Sequence, residues 1–171
     1  MMGFFLFLIS GPALALLLLL VWPGHTLTQG GKPYLTRWPL LGGDGVKRAP
    51  WLLGRSRRNI FIHWIRASDG SALHNHPYKW CWSYLLWGSY EETRTYLYWK
   101  GTDLSRIFQA GDRIWIGPCA YHTLRLVTPS VWSIFVTGPK HGQGWGFLVK
   151  GEFIPANSPR GRRMRDEHVA K

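Results

Sequence analysis

Three histidines carry the most chemistry per residue in this 171-residue chain. His74 and His76 flank Asn75, and in an extended backbone side chains at i and i+2 leave the same face, so two imidazoles can converge on one ion. His122 opens another strand-like stretch after the turn-like run Gly117-Pro118-Cys119-Ala120. Three neutral imidazoles on a rigid β scaffold suit Zn, Fe, Mn, Ni or Cu and leave coordination positions for water or a substrate. The competing reading of His74 and His76 is a turn cap before Pro77.

Other candidates carry plainer readings. Cys81 lies between Trp80 and Trp82 in an apolar run, where a free cysteine packs more often than it binds metal. Cys119 reads as structural, and two cysteines are too few for a disulfide framework. His63 shares its parity with Phe61 and Ile65, which marks a buried structural histidine, with a pocket contact as the alternative. Glu91 and Glu92 follow Gly88 and read as solvated turn charges. His25, His141 and His168 receive no role. Trp82, Trp87, Trp99, Trp115 and Trp132 read as core and sheet-face packing, with aromatic walls around a planar ligand as the functional alternative.

The elements that must position these groups are short β-type runs separated by turn signals. Strands are expected at Ile60 to Arg66, Trp80 to Trp87, Tyr90 to Trp99, Arg106 to Phe108, Arg113 to Ile116, His122 to Val127, Trp132 to Thr137 and Gly146 to Val149. Turn residues such as Ser68-Asp69-Gly70, Ala110-Gly111-Asp112 and Thr128-Pro129-Ser130 divide them. No helix is evident between them, so the fold class is mainly β, a sandwich or barrel of jelly-roll type.

Within that frame the motifs resemble those of the cupin superfamily. His74-x-His76 followed by Gly88 is similar to the first cupin motif, and Gly111 to His122 reproduces the Gly-to-His spacing of the second. The runs Ser68-Asp69, Leu73-His74-Asn75-His76-Pro77, Leu85-Leu86-Trp87-Gly88-Ser89-Tyr90-Glu91-Glu92, Gly138-Pro139 and Trp145-Gly146-Phe147 resemble small uncharacterised cupin-like proteins of bacteria and phages. The likeness covers about residues 60–154. The chain departs from the pattern at four places: Cys81 stands where cupins place Glu, Gly117 and Cys119 replace Pro and Gly, and Leu126 replaces Asn. The resemblance therefore implies a three-histidine site for one divalent transition metal, Fe or Zn before Mn, Ni or Cu, with Cys81 as candidate fourth ligand. The missing carboxylate argues against oxalate-type decarboxylation.

Outside residues 60–154 the composition changes twice. Phe4 to Trp22 contains no charged residue and is about long enough to span a bilayer core as a helix. Met1, Met2 and Gly3 supply no basic n-region and no small-x-small cleavage site follows Trp22, so the segment reads as an uncleaved anchor rather than a signal peptide. Lys32, Arg37, Lys47, Arg48, Arg55, Arg57 and Arg58 follow it. The positive-inside rule then puts the N-terminus outside and the barrel in the cytoplasm. Residues 23–59, punctuated by Gly and Pro, read as a basic linker. Trp22, Tyr34, Trp38 and Trp51 within or beside it suit either the headgroup layer or the domain's own surface. Residues 155–171 read as a basic C-terminal tail, frayed from Pro159 onward.

The formal net charge of +12 is thus unevenly placed, since residues 67–159 hold eight basic and six acidic side chains. That near-balance, and the lack of a recognition motif, turn the reading away from nucleic acid. Two function classes remain. One is a membrane-anchored, metal-dependent small-molecule oxygenase or isomerase. The other is a non-catalytic ligand-binding module or structural subunit of a membrane or phage-related assembly. In the latter, Ser10, Gly11, Ala13 and Ala15 would let a partner helix approach.

Overall fold

The computed structural model describes residues 24–29, 31–41, 58–70, 72–96 and 103–167. The expected anchor at residues 4–22 and Trp99 lie outside the described residues. Among those described, no helix is long and apolar enough to cross a membrane.

Among the described residues twelve strands run in chain order: β1 (His25–Gln29), β2 (Lys32–Leu41), β3 (Asn59–Ile65), β4 (Leu73–His74), β5 (Cys81–Trp87), β6 (Ser89–Tyr96), β7 (Leu104–Gln109), β8 (Arg113–Ile116), β9 (Ala120–Leu126), β10 (Val131–Thr137), β11 (Gly146–Val149) and β12 (Glu152–Pro155). They form two six-stranded sheets, ordered β1-β2-β3-β10-β5-β8 and β12-β11-β4-β9-β6-β7. All pairings are antiparallel. The alternation in the sequence sets the layers. In β10, Val131, Ser133, Phe135 and Thr137 are buried while Trp132, Ile134 and Val136 are only partly covered. Phe61, Ile65, Leu85, Tyr90, Ile114 and Phe135 belong to the apolar cluster that forms the core.

All eight expected strands are present, within three residues at each described end. The linker reading is corrected by β1 and β2, which extend the first sheet. Pro33 and Pro39 misled because proline argues against a regular ladder, yet both sit beside irregularities of pairing. The β1–β2 register shifts between Leu27 and Thr28, opposite Pro33, and the β2–β3 register shifts just after Pro39.

The frayed-tail reading is corrected too, by helix α1 (Pro159–Glu167). Ser158 caps it, its Oγ accepting from Gly161 N at 3.0 Å, and Pro159 takes the first helical position, where a missing N–H costs nothing.

The strand tryptophans lie on the outer face of the first sheet rather than in the core. Trp132 stacks between Trp38 and Trp64, with centroids at 5.7 and 5.3 Å, and Trp115 stacks on Trp80. Trp87 and Trp115 are exposed.

Candidate metal centre and adjoining cavity

His74 ends β4 and faces His122 of β9 directly across the ladder. Residues in direct cross-strand register share a face, so this pairing brings together two imidazoles separated by 48 positions of sequence. His76 follows two residues later. One ligand nitrogen from each of His74, His76 and His122 lies within 4.8 Å of the other two. The Nε2 atoms of His76 and His122 are 2.9 Å apart.

Asn75 fixes the backbone between the first two histidines. It is fully buried and points the other way: its Oδ1 accepts from Gly146 N at 2.8 Å and its Nδ2 donates to the Gly144 carbonyl at 3.1 Å. His141 secures the next residue. Its Nδ1 accepts from Gln143 N at 3.2 Å, leaving Nε2–H to donate to the His76 carbonyl at 3.1 Å. Neither Asn75 nor His141 stood out in the sequence, because their partners lie about 65 to 71 positions away or in a turn.

Glu92 is the largest departure from the sequence reading. Far from being a solvated turn charge, it is 2% exposed, and its Oε1 lies 2.6 Å from His122 Nδ1. Arg94 donates to both oxygens through Nη2, at 2.7 and 2.9 Å. Burial alone would raise the Glu92 pKa, but the His122 ring and Arg94 hold the carboxyl below its ordinary range. An ionised carboxylate only accepts, so Nδ1–H of His122 donates to Glu92 and its Nε2 faces the other histidines. Strand parity was the available signal: Glu92 alternates with Tyr90 on one face of β6, and both are buried.

Asp69 stands behind His74 in a looser way, its Oδ2 3.9 Å from His74 Nδ1. It is held by the Tyr34 hydroxyl and by Leu124 N, the latter at 2.8 Å. Tyr34 lines the adjoining cavity, its hydroxyl on Asp69. Burial first, then the Asp69 charge, raises its pKa well above the ordinary value.

The donor set fits a transition metal. Nitrogens sharing an ion at roughly 2.0–2.1 Å stand about 3–4 Å apart, close to the spacing here. Burial, then the charges of His122 and His74, hold His76 well below its ordinary pKa, so its ring is neutral and a lone pair is free to ligate. Cys81 does not join the three histidines. It is 1% exposed in the core cluster, and burial pushes its thiol up to about 12, which disfavours the thiolate a metal requires.

Beside the histidines lies a cavity of about 490 Å³ whose lining includes His74, His76, His63, Arg37, Asp69 and Tyr34 among mostly apolar side chains. That volume is in the range of small-molecule sites. His63 therefore takes the pocket position that the sequence left as its alternative. It stacks on Phe135, with centroids 4.8 Å apart.

No family model and no curated protein matches the chain. Among solved structures, an oxalate decarboxylase variant from Bacillus subtilis aligns at TM-score 0.51 and 14% identity, over 72% of this chain and 29% of that one. Hydroxypropylphosphonic acid epoxidase from S. wedmorenis aligns at TM-score 0.45 and 15% identity, over 67% and 55%. KdgF from Halomonas sp. aligns at 0.44 and 14%, over 63% and 81%. The match thus spans about half of the epoxidase and under a third of the decarboxylase. The likeness to the decarboxylase establishes a cupin-type fold and nothing about activity.

Proposed function

We propose that His74, His76 and His122 bind one divalent transition metal and that the chain is a metal-dependent enzyme acting on a small molecule held in the adjoining cavity. The observation that carries this reading is the convergence of three imidazole nitrogens within 4.8 Å of one another, two of the three rings also lining the cavity. Three protein ligands leave open positions, which is the arrangement of catalytic rather than structural sites. When bound, such a metal supplies Lewis-acid or redox chemistry.

The remaining work falls to the protein. Glu92 keeps the His122 proton on Nδ1, Asn75 sets the two faces of the His74–His76 segment, and Asp69 faces His74. Oriented partners of this kind hold ligating rings in place and raise their basicity. The mostly apolar walls lower the local dielectric, which strengthens electrostatic contacts made against them.

Metal analysis of protein purified without added metal tests this. About one transition metal per chain is expected, with most of it lost in His76→Ala. Retention in that variant, or no metal in the parent, sinks the proposal. Anchoring by residues 4–22, with the barrel in the cytoplasm, belongs to the same proposal and is supported by the uncharged apolar run and the basic residues after it. Release of the chain from membranes by alkaline carbonate would refute it.

A further inference from the structure

The cavity holds a cation that has no ion-pair partner among the described residues. Arg37 of β2 pairs in register with His63 of β3, so both side chains leave the same face of the first sheet, and both line the cavity. The guanidinium carbon sits 5.6 Å from the centroid of the Phe61 ring, and Nε is buried with no hydrogen-bond partner. Among the described residues no ion pair engages Arg37. Asp69 is the one carboxylate among the lining residues; its oxygens accept from Tyr34 and from Leu124 N, and it forms no ion pair with Arg37. A half-buried guanidinium that lines the cavity over the Phe61 ring and has no counter-ion there carries a charge that a bound anion would balance.

Phe135 links this part of the cavity to the histidines: its ring stacks on His63 with centroids 4.8 Å apart and lies 5.3 Å from the His76 ring. His63 itself stays neutral, its pKa lowered to about 3 by burial and then by the Arg37 charge, so it offers hydrogen bonds without a second fixed charge.

We propose that the cavity's ligand is a small organic acid, its carboxylate or phosphonate received by Arg37 and its body lying across Phe135 toward the histidine cluster. This deepens the metal-dependent reading by naming the ligand class, and it rests on that reading only for what the far end of the ligand meets. Bidentate geometry favours arginine here, since two parallel N–H donors match the two oxygens of an acid group.

Benzoate, phenylphosphonate and neutral benzamide serve as probes, followed by calorimetry on the full chain in detergent, both chelator-treated and loaded with Zn²⁺. The acids should bind both forms and benzamide at least tenfold more weakly. Arg37→Gln should weaken acid binding at least tenfold and Arg37→Lys by less, with zinc content unchanged in both. Equal binding of benzamide, undiminished acid binding in Arg37→Gln, or no acid binding by the parent overturns the inference. Should Arg37→Gln fail to fold, the acid–amide comparison and Arg37→Lys still decide. Acid binding without any metal uptake would refute the metal site alone, and metal uptake without acid binding would refute the acid site alone.

Discussion

Glu92 and His122 meet through Oε1 and Nδ1 at 2.6 Å, both side chains almost wholly buried and on neighbouring strands. This contact determines which nitrogen of His122 faces the other two histidines. Glu92→Gln removes the charge but keeps the shape, and a carboxamide can present either its oxygen or its N–H₂ to the ring. Metal affinity should fall about 10–100-fold, the usual effect of disturbing a ligand's hydrogen-bond partner. Competition against a chromophoric chelator measures it, and unchanged affinity would show that His122 needs no such partner.

Cys81→Ala distinguishes ligand from core. The metal content should be unchanged, while thermal stability falls by roughly 1–2 kcal/mol for a small loss of buried volume. In the native chain a thiol reagent should modify the half-buried Cys119 well before Cys81. Loss of metal in Cys81→Ala would restore the thiol to the ligand set.

His63 makes stability depend on pH. Its folded pKa of about 3 lies below the ordinary 6.5, so between those values the unfolded chain takes up a proton that the folded chain refuses. The stability this histidine contributes is complete above pH 6.5 and is lost as pH falls through that window, at up to about 1.4 kcal/mol per pH unit for one proton. Urea unfolding from pH 7 to pH 4 should show a shallower pH slope in His63→Phe than in the parent. Parallel slopes would mean that His63 is protonated in the folded protein.

Gly88 joins β5 to β6 with φ at 82°, and a Cβ there would stand 2.3 Å from the Ser130 carbonyl oxygen. Gly88→Ala should therefore cost about 1–3 kcal/mol or more, from both backbone strain and displacement of the β9–β10 turn. A melting temperature within a degree of the parent would contradict this.

The sequence made the ladders legible where alternation was clean, as in β10 and β5, because burial on one face of a strand leaves a period-two trace. It also disclosed His74, His76 and His122 through spacing. What it hid was long-range pairing. Nothing local shows that Glu92 will lie against His122, or that Arg37 and Tyr34, in a Gly- and Pro-rich stretch, will line a cavity. β4 was invisible for the same reason: two residues carry no periodicity, and the strand exists because β9 and β11 hold it from either side.

That last arrangement has a consequence in time. β4 has only two residues, and one of its two neighbours, β11, emerges from the ribosome some 70 residues after it. Until Phe147 is available to pair with His74, neither that strand nor the Asn75 contacts to Gly144 and Gly146 can be made. The complete histidine cluster, with Asn75 anchored, is therefore expected only after closure of long loops, so an ion is expected to bind a largely assembled fold rather than nucleate it. The expected outcome is that a chain truncated before residue 144, with all three histidines present, fails to retain metal, and metal retention by it would contradict this order.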